Sequence, residues 1–233
     1  MRETLKPEAT VHAVRIPCGS LLLEGDLTLP EGAAGIVVFA HGSGSSRHSP
    51  RNQWVARALN EAGLGTLLLD LLTLEEEEVD ERTRRLRFDI PMLSRRLAAA
   101  VDWAAQRPET RHLAIGCFGA STGAAAALET AAMRPDVVRA VVSRGGRPDL
   151  AGNLLHRVTA PTLLIVGGHD PEVLDLNRTA YEDLAGVKEL QVVPGATHLF
   201  EEPGTLQEVA RLAAEWFDRH LARPAAAGRR PDG

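Results

Sequence analysis

The sequence predicts an α/β fold built on a mostly parallel sheet of about eight strands, with an antiparallel hairpin at its N-terminal end. Three observations carry this. Short runs rich in Val, Leu and Ile lack polar alternation, as strands buried on both faces should. They alternate with longer amphipathic stretches, the order that generates parallel strands with right-handed crossovers and helices on both faces. Proline falls where helices begin or stop.

Val11–Pro17 and Ser20–Leu29 read as two strands joined by Cys18-Gly19. After Pro30 come the apolar runs Ile36–Ala40, Gly65–Asp70, His112–Gly116, Val137–Val142, Thr162–Val166 and Glu189–Val193. Between them, helices are expected at Gln53–Glu61, Pro91–Ala105, Thr122–Met133, Pro171–Leu184 and Thr205–Leu221. Pro91 and Pro171 suit a first helical turn, and Pro108 and Pro135 close helices. The connection after Val142 has room for one small helix near Leu150–His156, which excludes a large lid domain there. Residues 1–221 are expected to form one domain. The Ala/Pro/Gly/Arg-rich tail, 222–233, is expected to be disordered or a linker stub.

Bulk properties exclude several function classes. The 233 residues, 44% hydrophobic, suffice for one large core. A net charge of −5 offers no global attraction to nucleic acid or an anionic membrane. The N-terminal stretch Met1–Pro17 is charged and lacks a signal peptide's apolar core, and no apolar run reaches the length of a membrane span. Cys18 and Cys117 are far apart and match no metal-ligand spacing, which favours a reducing, cytoplasmic setting.

The chemistry concentrates where strands end. Gly119-Ala-Ser121-Thr-Gly123 is a G-x-S-x-G pattern between a strand and a helix. A serine hydroxyl raised above a sheet edge needs a very tight turn, so the residues two before and two after it must be nearly free of side chain. The run Ala124–Ala127 lets the helix lie close to the sheet. The competing reading is a glycine-rich connection with Ser121 capping the helix.

A serine nucleophile needs a base, and the base needs an orienting carboxylate. His198 follows the Glu189–Val193 run, and Asp170 follows Thr162–Val166, giving the chain order Ser121, Asp170, His198. Asp149 and Asp70, which also follow strands, are rival acids. His169 leads into a helix, and His12, His112 and His220 lie within or at the starts of elements. Negative charge developing on an acyl carbon's oxygen requires donors. Those expected are the backbone N–H of Thr122, at a helix N-terminus, and that of Ser43, in the loop His41-Gly42-Ser43-Gly44-Ser45-Ser46.

These segments, with Gly167-Gly-His-Asp170 and Gly195-Ala-Thr-His198-Leu-Phe, resemble the α/β-hydrolases, and among them the small, lid-less dienelactone hydrolase-like group. The resemblance spans roughly residues 11–221. It implies the α/β-hydrolase fold and a hydrolase without metal or organic cofactor. Dienelactone hydrolases carry a cysteine nucleophile where this sequence has Ser121, which directs the expectation to esterase-like cleavage of a small acyl substrate. Cys117, two residues before Gly119 and inside the strand, does not restore a thiol. The alternatives are a catalytically silent binding protein on this scaffold and a component of a larger assembly, with the tail as linker.

Arg47 and Arg51 follow the Ser/Gly loop and Arg144 follows the Val137–Val142 run, so all three are candidates for binding an anionic group of the substrate. The competing expectation pairs them with the acidic run Glu75–Glu78. The charged stretch Leu74–Phe88 reads as a solvated helix face, with a partial lid as its alternative.

Overall fold

A computed structural model describes residues 10–222. The strands are β1 (Val11–Cys18), β2 (Leu21–Thr28), β3 (Gly35–Ala40), β4 (Gly65–Leu69), β5 (Ala114–Ala120), β6 (Val138–Arg144), β7 (Thr162–Gly167) and β8 (Lys188–Val193). The helices are α1 (Pro50–Glu61), α2 (Leu74–Thr83), α3 (Ile90–Gln106), α4 (Thr122–Met133), α5 (Pro171–Asp183) and α6 (Thr205–Leu221).

One sheet holds eight strands in the order β1-β2-β4-β3-β5-β6-β7-β8. The N-terminal hairpin pairs antiparallel and attaches antiparallel to β4. From β4 through β8 every pairing is parallel, so the carboxyl ends of β3, β5, β6, β7 and β8 share one edge. Loops leaving that edge are where functional groups of an open α/β sheet collect.

The apolar runs lack alternation because both sheet faces are covered. Along β3, Ile36, Val38 and Ala40 enter the cluster built with α3 and α4. Val37 and Phe39 enter the opposite cluster, built with α1 and α6. Helix α4 is rich in small residues, with six alanines and a glycine, and is buried along eleven of its twelve positions. It is packed between the sheet, α3 and the segment Pro148–Arg157. Alanine is the side chain that allows so close an approach, and its high helix propensity keeps the segment helical without an amphipathic pattern.

Three expectations shift. The central strand runs from Ala114 to Ala120, displaced C-terminally from the expected His112–Gly116. Its Gly116 and Gly119 lower the strand signal, yet both are required by contact: a Cβ at Gly116 would lie 2.6 Å from Phe217. The small helix after β6 is a 3-10 segment over Pro148–Arg157, kinked at Gly152. The stretch from Leu74 contains α2, fixed by a capping box in which Thr73 and Glu76 satisfy each other's backbone. The expected tail beyond Ala222 lies outside the described residues, as do residues 1–9.

Phe217, fully buried under Gly116, ties α6 to the central strand. Phe217→Ala is expected to lower unfolding free energy by about 3–5 kcal/mol, read from urea midpoints at unchanged m-value.

Candidate active site

Ser121 has φ 50° and ψ −121°, a backbone conformation strained for any residue with a side chain. It caps α4 in position only, since no side-chain capping bond engages its hydroxyl. That removes the reading of Ser121 as an ordinary helix cap. Its N–H donates to Arg144 O (3.2 Å) and its carbonyl accepts from Arg147 N–H (3.0 Å), so the loop after β6 clamps the turn.

The flanking glycines are sterically compulsory. A Cβ on Gly119 would lie 2.5 Å from Gly123 O, and one on Gly123 would lie 2.5 Å from His41 O. The latter contact brings the loop after β3 against the turn. Gly42 lies at the same junction, its Cβ position 3.2 Å from Ser121 Cβ. Ser43 follows directly and is exposed, while Thr122 opens α4. Both line one cavity of about 440 Å³, together with His41, Gly42, Gly44, Ser45 and Ser46.

His41 was visible in the sequence only as the first letter of that loop. Its Nε2 accepts the Leu71 N–H (3.0 Å), so the ring hydrogen sits on Nδ1, which donates to Gly42 O (2.9 Å). Burial holds its pKa below the ordinary imidazole value, against the opposing pull of Gly42 O and the Asp70 charge. A neutral, buried imidazole thus braces the loop that carries Ser43.

His198 Nδ1 donates to Asp170 Oδ2 at 2.7 Å. The Asp170 carboxylate is largely shielded, and the imidazole is about 38% exposed, accessible to a small molecule. Asp170 starts α5 without a side-chain capping bond; its carboxylate is turned to the imidazole instead. His198 is brought to the Ser121 turn through Gly145, whose Cβ position is 3.1 Å from His198 O and 3.7 Å from His198 Cε1. Gly145 is the residue after Arg144, the hydrogen-bond partner of Ser121. The Asp170–His198 pair and the Ser121 turn therefore both border the loop after β6, at Gly145 and Arg144.

The rival acids are engaged elsewhere. Asp149 forms a two-point pair with Arg147 (2.8 and 2.7 Å). Asp70 accepts the Arg47 N–H at 2.7 Å and pairs with the Arg47 guanidinium. The second interaction corrects the expectation for Arg47. Held between Asp70 and Asp26, it locks the loop to β4 and β2, and its charge is already matched by the two carboxylates. Arg51 pairs with Glu201 (3.1 Å), not with the run Glu75–Glu78. Arg144 is buried and pairs with no carboxylate among the described residues.

The stretch Leu74–Phe88 is only half the solvated face expected of it. Leu74 and Val79 are exposed, but Asp80 is buried and, with Glu77, Glu81, Arg84 and Arg87, lines the cavity opposite Ser43. Asp80 takes the N–H groups of Leu86 and Arg87 and the Arg87 Nε. Glu76 binds Arg96 of α3 through both oxygens (2.5 and 2.6 Å). The Thr73-x-x-Glu76 spacing was the one sequence signal for this helix. Cys117 lies inside β5, and burial pushes its thiol up to about 12, which leaves it inert as a nucleophile.

A model of the dienelactone hydrolase family matches residues 23–222. The chain belongs to the dienelactone hydrolase family. A crystal structure of a dienelactone hydrolase from Anabaena variabilis is 58% identical, with a TM-score of 0.91 over 92% of this chain and 99% of that one. The fold recurs in Est1E from Butyrivibrio proteoclasticus, at 18% identity and a TM-score of 0.73 over 89% of this chain and 98% of that one, a likeness in fold alone. Two curated Mycobacterium tuberculosis proteins, from strains CDC 1551 and H37Rv, are 58% identical over 222 residues and carry a provisional phosphoribosyl transferase name. The match takes in 95% of this chain and 49% of theirs, so the chain spans about half the length of the curated relatives it matches. Among the described residues, no helix of this family member is long and apolar enough to cross a membrane.

Because the folded state holds His41 neutral while the unfolded chain protonates it near pH 6.5, the unfolded state binds more protons below that pH. Its contribution is complete above about pH 6.5 and falls as pH drops. Wild type should lose stability relative to His41→Gln between about pH 6.5 and 5, by at most about 1.4 kcal/mol per pH unit. Urea denaturation of both proteins at several pH values measures this; parallel curves would remove His41 as the titrating brace.

Proposed function

We propose that this dienelactone hydrolase family member is a serine hydrolase cleaving an ester-type bond, whether carboxylic ester, thioester or lactone, through an acyl-enzyme on Ser121. The observation that carries the reading is the Asp170–His198 hydrogen bond of 2.7 Å, set beside a strained Ser121 turn whose hydroxyl is not engaged in capping. In this reading His198 Nε2 takes the Ser121 proton as Oγ attacks the acyl carbon, and then gives it to the leaving alcohol or thiol. Asp170 keeps Nδ1 protonated and stabilises the imidazolium. The N–H groups of Ser43 and Thr122 take the oxyanion, the second at the positive end of α4. Water, activated by the same imidazole, then releases the acid and restores Ser121.

Every group in this sequence of steps is a side chain or backbone amide of the chain, and the substrate is a small acyl compound in the cavity beside Ser43. Two free thiols, Cys18 and Cys117, suit a reducing, cytoplasmic setting.

A second reading has one supporting observation. The 49% coverage of the two mycobacterial relatives favours a hydrolase unit that works within a larger protein or assembly, whose further activity is carried by the remainder. Native mass measurement tests it; a monomer that hydrolyses esters at full rate would count against it.

Ser121→Ala should lower kcat for p-nitrophenyl acetate by about 10⁴-fold or more, and Asp170→Asn by about 10³–10⁴-fold. Steady-state kinetics on folded variants decide the point. Retained activity in Ser121→Ala would assign the chemistry to another group.

A further inference from the structure

Asn177 is fully buried in α5, and its side-chain amide engages both of its N–H groups. Nδ2 donates to Val173 O of the same helix (2.8 Å) and to Gly146 O in the loop after β6 (2.9 Å). Its Oδ1 is buried without a hydrogen-bond partner. Packing alone would be served by leucine, which fills a similar volume and leaves no acceptor unmet. What the amide supplies, and an apolar side chain does not, is the bond that crosses to Gly146 O.

That carbonyl belongs to the peptide unit joining Gly146 to Arg147, whose N–H donates to Ser121 O (3.0 Å). Asn177 and Ser121 therefore hold opposite sides of one planar group, and each bond polarises the other. The loop needs such an anchor, because two consecutive glycines leave its peptides free to turn. Gly145 stands at φ 50°, borders His198 and is tied to β7 by its N–H, which donates to Ile165 O (2.8 Å). Gly146 cannot carry a side chain, since a Cβ there would overlap Ser143 Oγ and lie 2.6 Å from Ala124 Cβ of α4. Asn177 is the group that fixes the next peptide. The helix that supplies it also carries the acid: Asp170 starts α5, and Asn177 lies about two turns further along the same face. One helix thus bears on His198 through Asp170 and on Ser121 through Asn177.

We propose that Asn177 is a positioning residue: through the Gly146–Arg147 peptide it fixes the Ser121 turn relative to the Asp170–His198 pair. Its effect on turnover rests on the hydrolase reading above; its hold on the loop does not. Without the bond the peptide is free to rotate, the Ser121 carbonyl loses a fixed donor, and the strained turn relaxes away from the base. A displacement on the order of 1 Å at a reacting group is enough to slow the chemical step by a large factor.

The test has a kinetic arm and an exchange arm. Asn177→Leu keeps the volume and removes the donors; kcat for p-nitrophenyl acetate should fall about 10²-fold while KM changes by less than about threefold. The rate of Ser121 labelling by a fluorophosphonate should fall with kcat. Thr110→Val is the control. It deletes a buried hydrogen bond, Thr110 Oγ1 to Ala104 O (2.5 Å), before β5 at the amino end of the parallel strands. It should lower the melting temperature comparably and leave kcat unchanged, as would Asn177→Leu if that residue only supported the fold. In the exchange arm, hydrogen exchange at the Arg147 amide reads the loop directly and needs no turnover. It should speed up about tenfold or more in Asn177→Leu. Asn177→Ser, whose hydroxyl bonds the carbonyl four residues back and falls short of the loop, is the second variant and should move both readouts in the same direction. Unchanged exchange at Arg147, or a kcat that falls no further than in Thr110→Val, would overturn the proposal. A wild type without esterase activity would remove the hydrolase reading and leave the exchange result to decide the role of Asn177.

Discussion

The close approach of three backbone segments around Ser121 governs the geometry of the site. The end of β5, the start of α4 and the loop after β3 meet so tightly that side chains at Gly119 and Gly123 would collide with carbonyl oxygens of the other segments. Strain in the Ser121 backbone, on the order of 1–3 kcal/mol for such a conformation, is held in place by hydrogen bonds to Arg144 and Arg147 on both sides of it. The same approach fixes where Ser43 and Thr122 stand, and it calls for small residues, Gly123 and Ala124–Ala127, in the first turns of α4. Packing, backbone strain and the direction of the serine hydroxyl are therefore one constraint.

Around this rigid centre, charge is arranged in matched pairs. Asp70 and Asp26 hold Arg47 at the base of the Ser43 loop, Glu76 ties α2 to α3 through Arg96, and Asp80 holds Arg87 over the cavity. Each pair anchors a segment that the backbone alone would leave mobile, so the loop and the α2 cover keep their places beside the turn. Asp170 and His198 follow the same rule with a different result. Their partnership joins the start of α5 to the loop after β8, and in the proposed reaction the same pair would serve as the base and its orienting acid. Arg144 stands outside the pattern, buried and unmatched.

Much of this was legible in the sequence because both faces of the sheet are buried. Val/Ile/Leu runs without alternation marked five of the six strands β3–β8 to within two residues at either end, the two hairpin strands were read to within one residue, and the bounds of α4 and α6 were read as Thr122–Met133 and Thr205–Leu221. The order of Ser121, Asp170 and His198 at strand ends was readable because parallel strands must deliver their carboxyl ends to one edge. What failed to register has a common cause. The end of β5 is glycine-rich for the sake of contacts with α4 and α6, which only the folded chain displays. Helix α2 was read as a solvated charged face, and with no apolar period and Leu74 and Val79 exposed, nothing in the pattern marked the buried Asp80. Arg47 seemed available because its partners are 21 and 23 residues away along the chain. His41 was passed over because its role as a neutral brace depends on the Leu71 N–H reaching across from the end of β4.

The account stands on Ser121 being presented, by that tight turn, to the imidazole on one side and to two backbone donors on the other. The crystal structure of the protein after reaction with an alkyl fluorophosphonate examines all of this at once. A single covalent adduct is expected on Ser121 Oγ, its phosphoryl oxygen within hydrogen-bond reach of the Ser43 and Thr122 N–H groups, with His198 Nε2 close to Oγ. An adduct on any other residue, or one on Ser121 whose phosphoryl oxygen turns away from both amides, would contradict it.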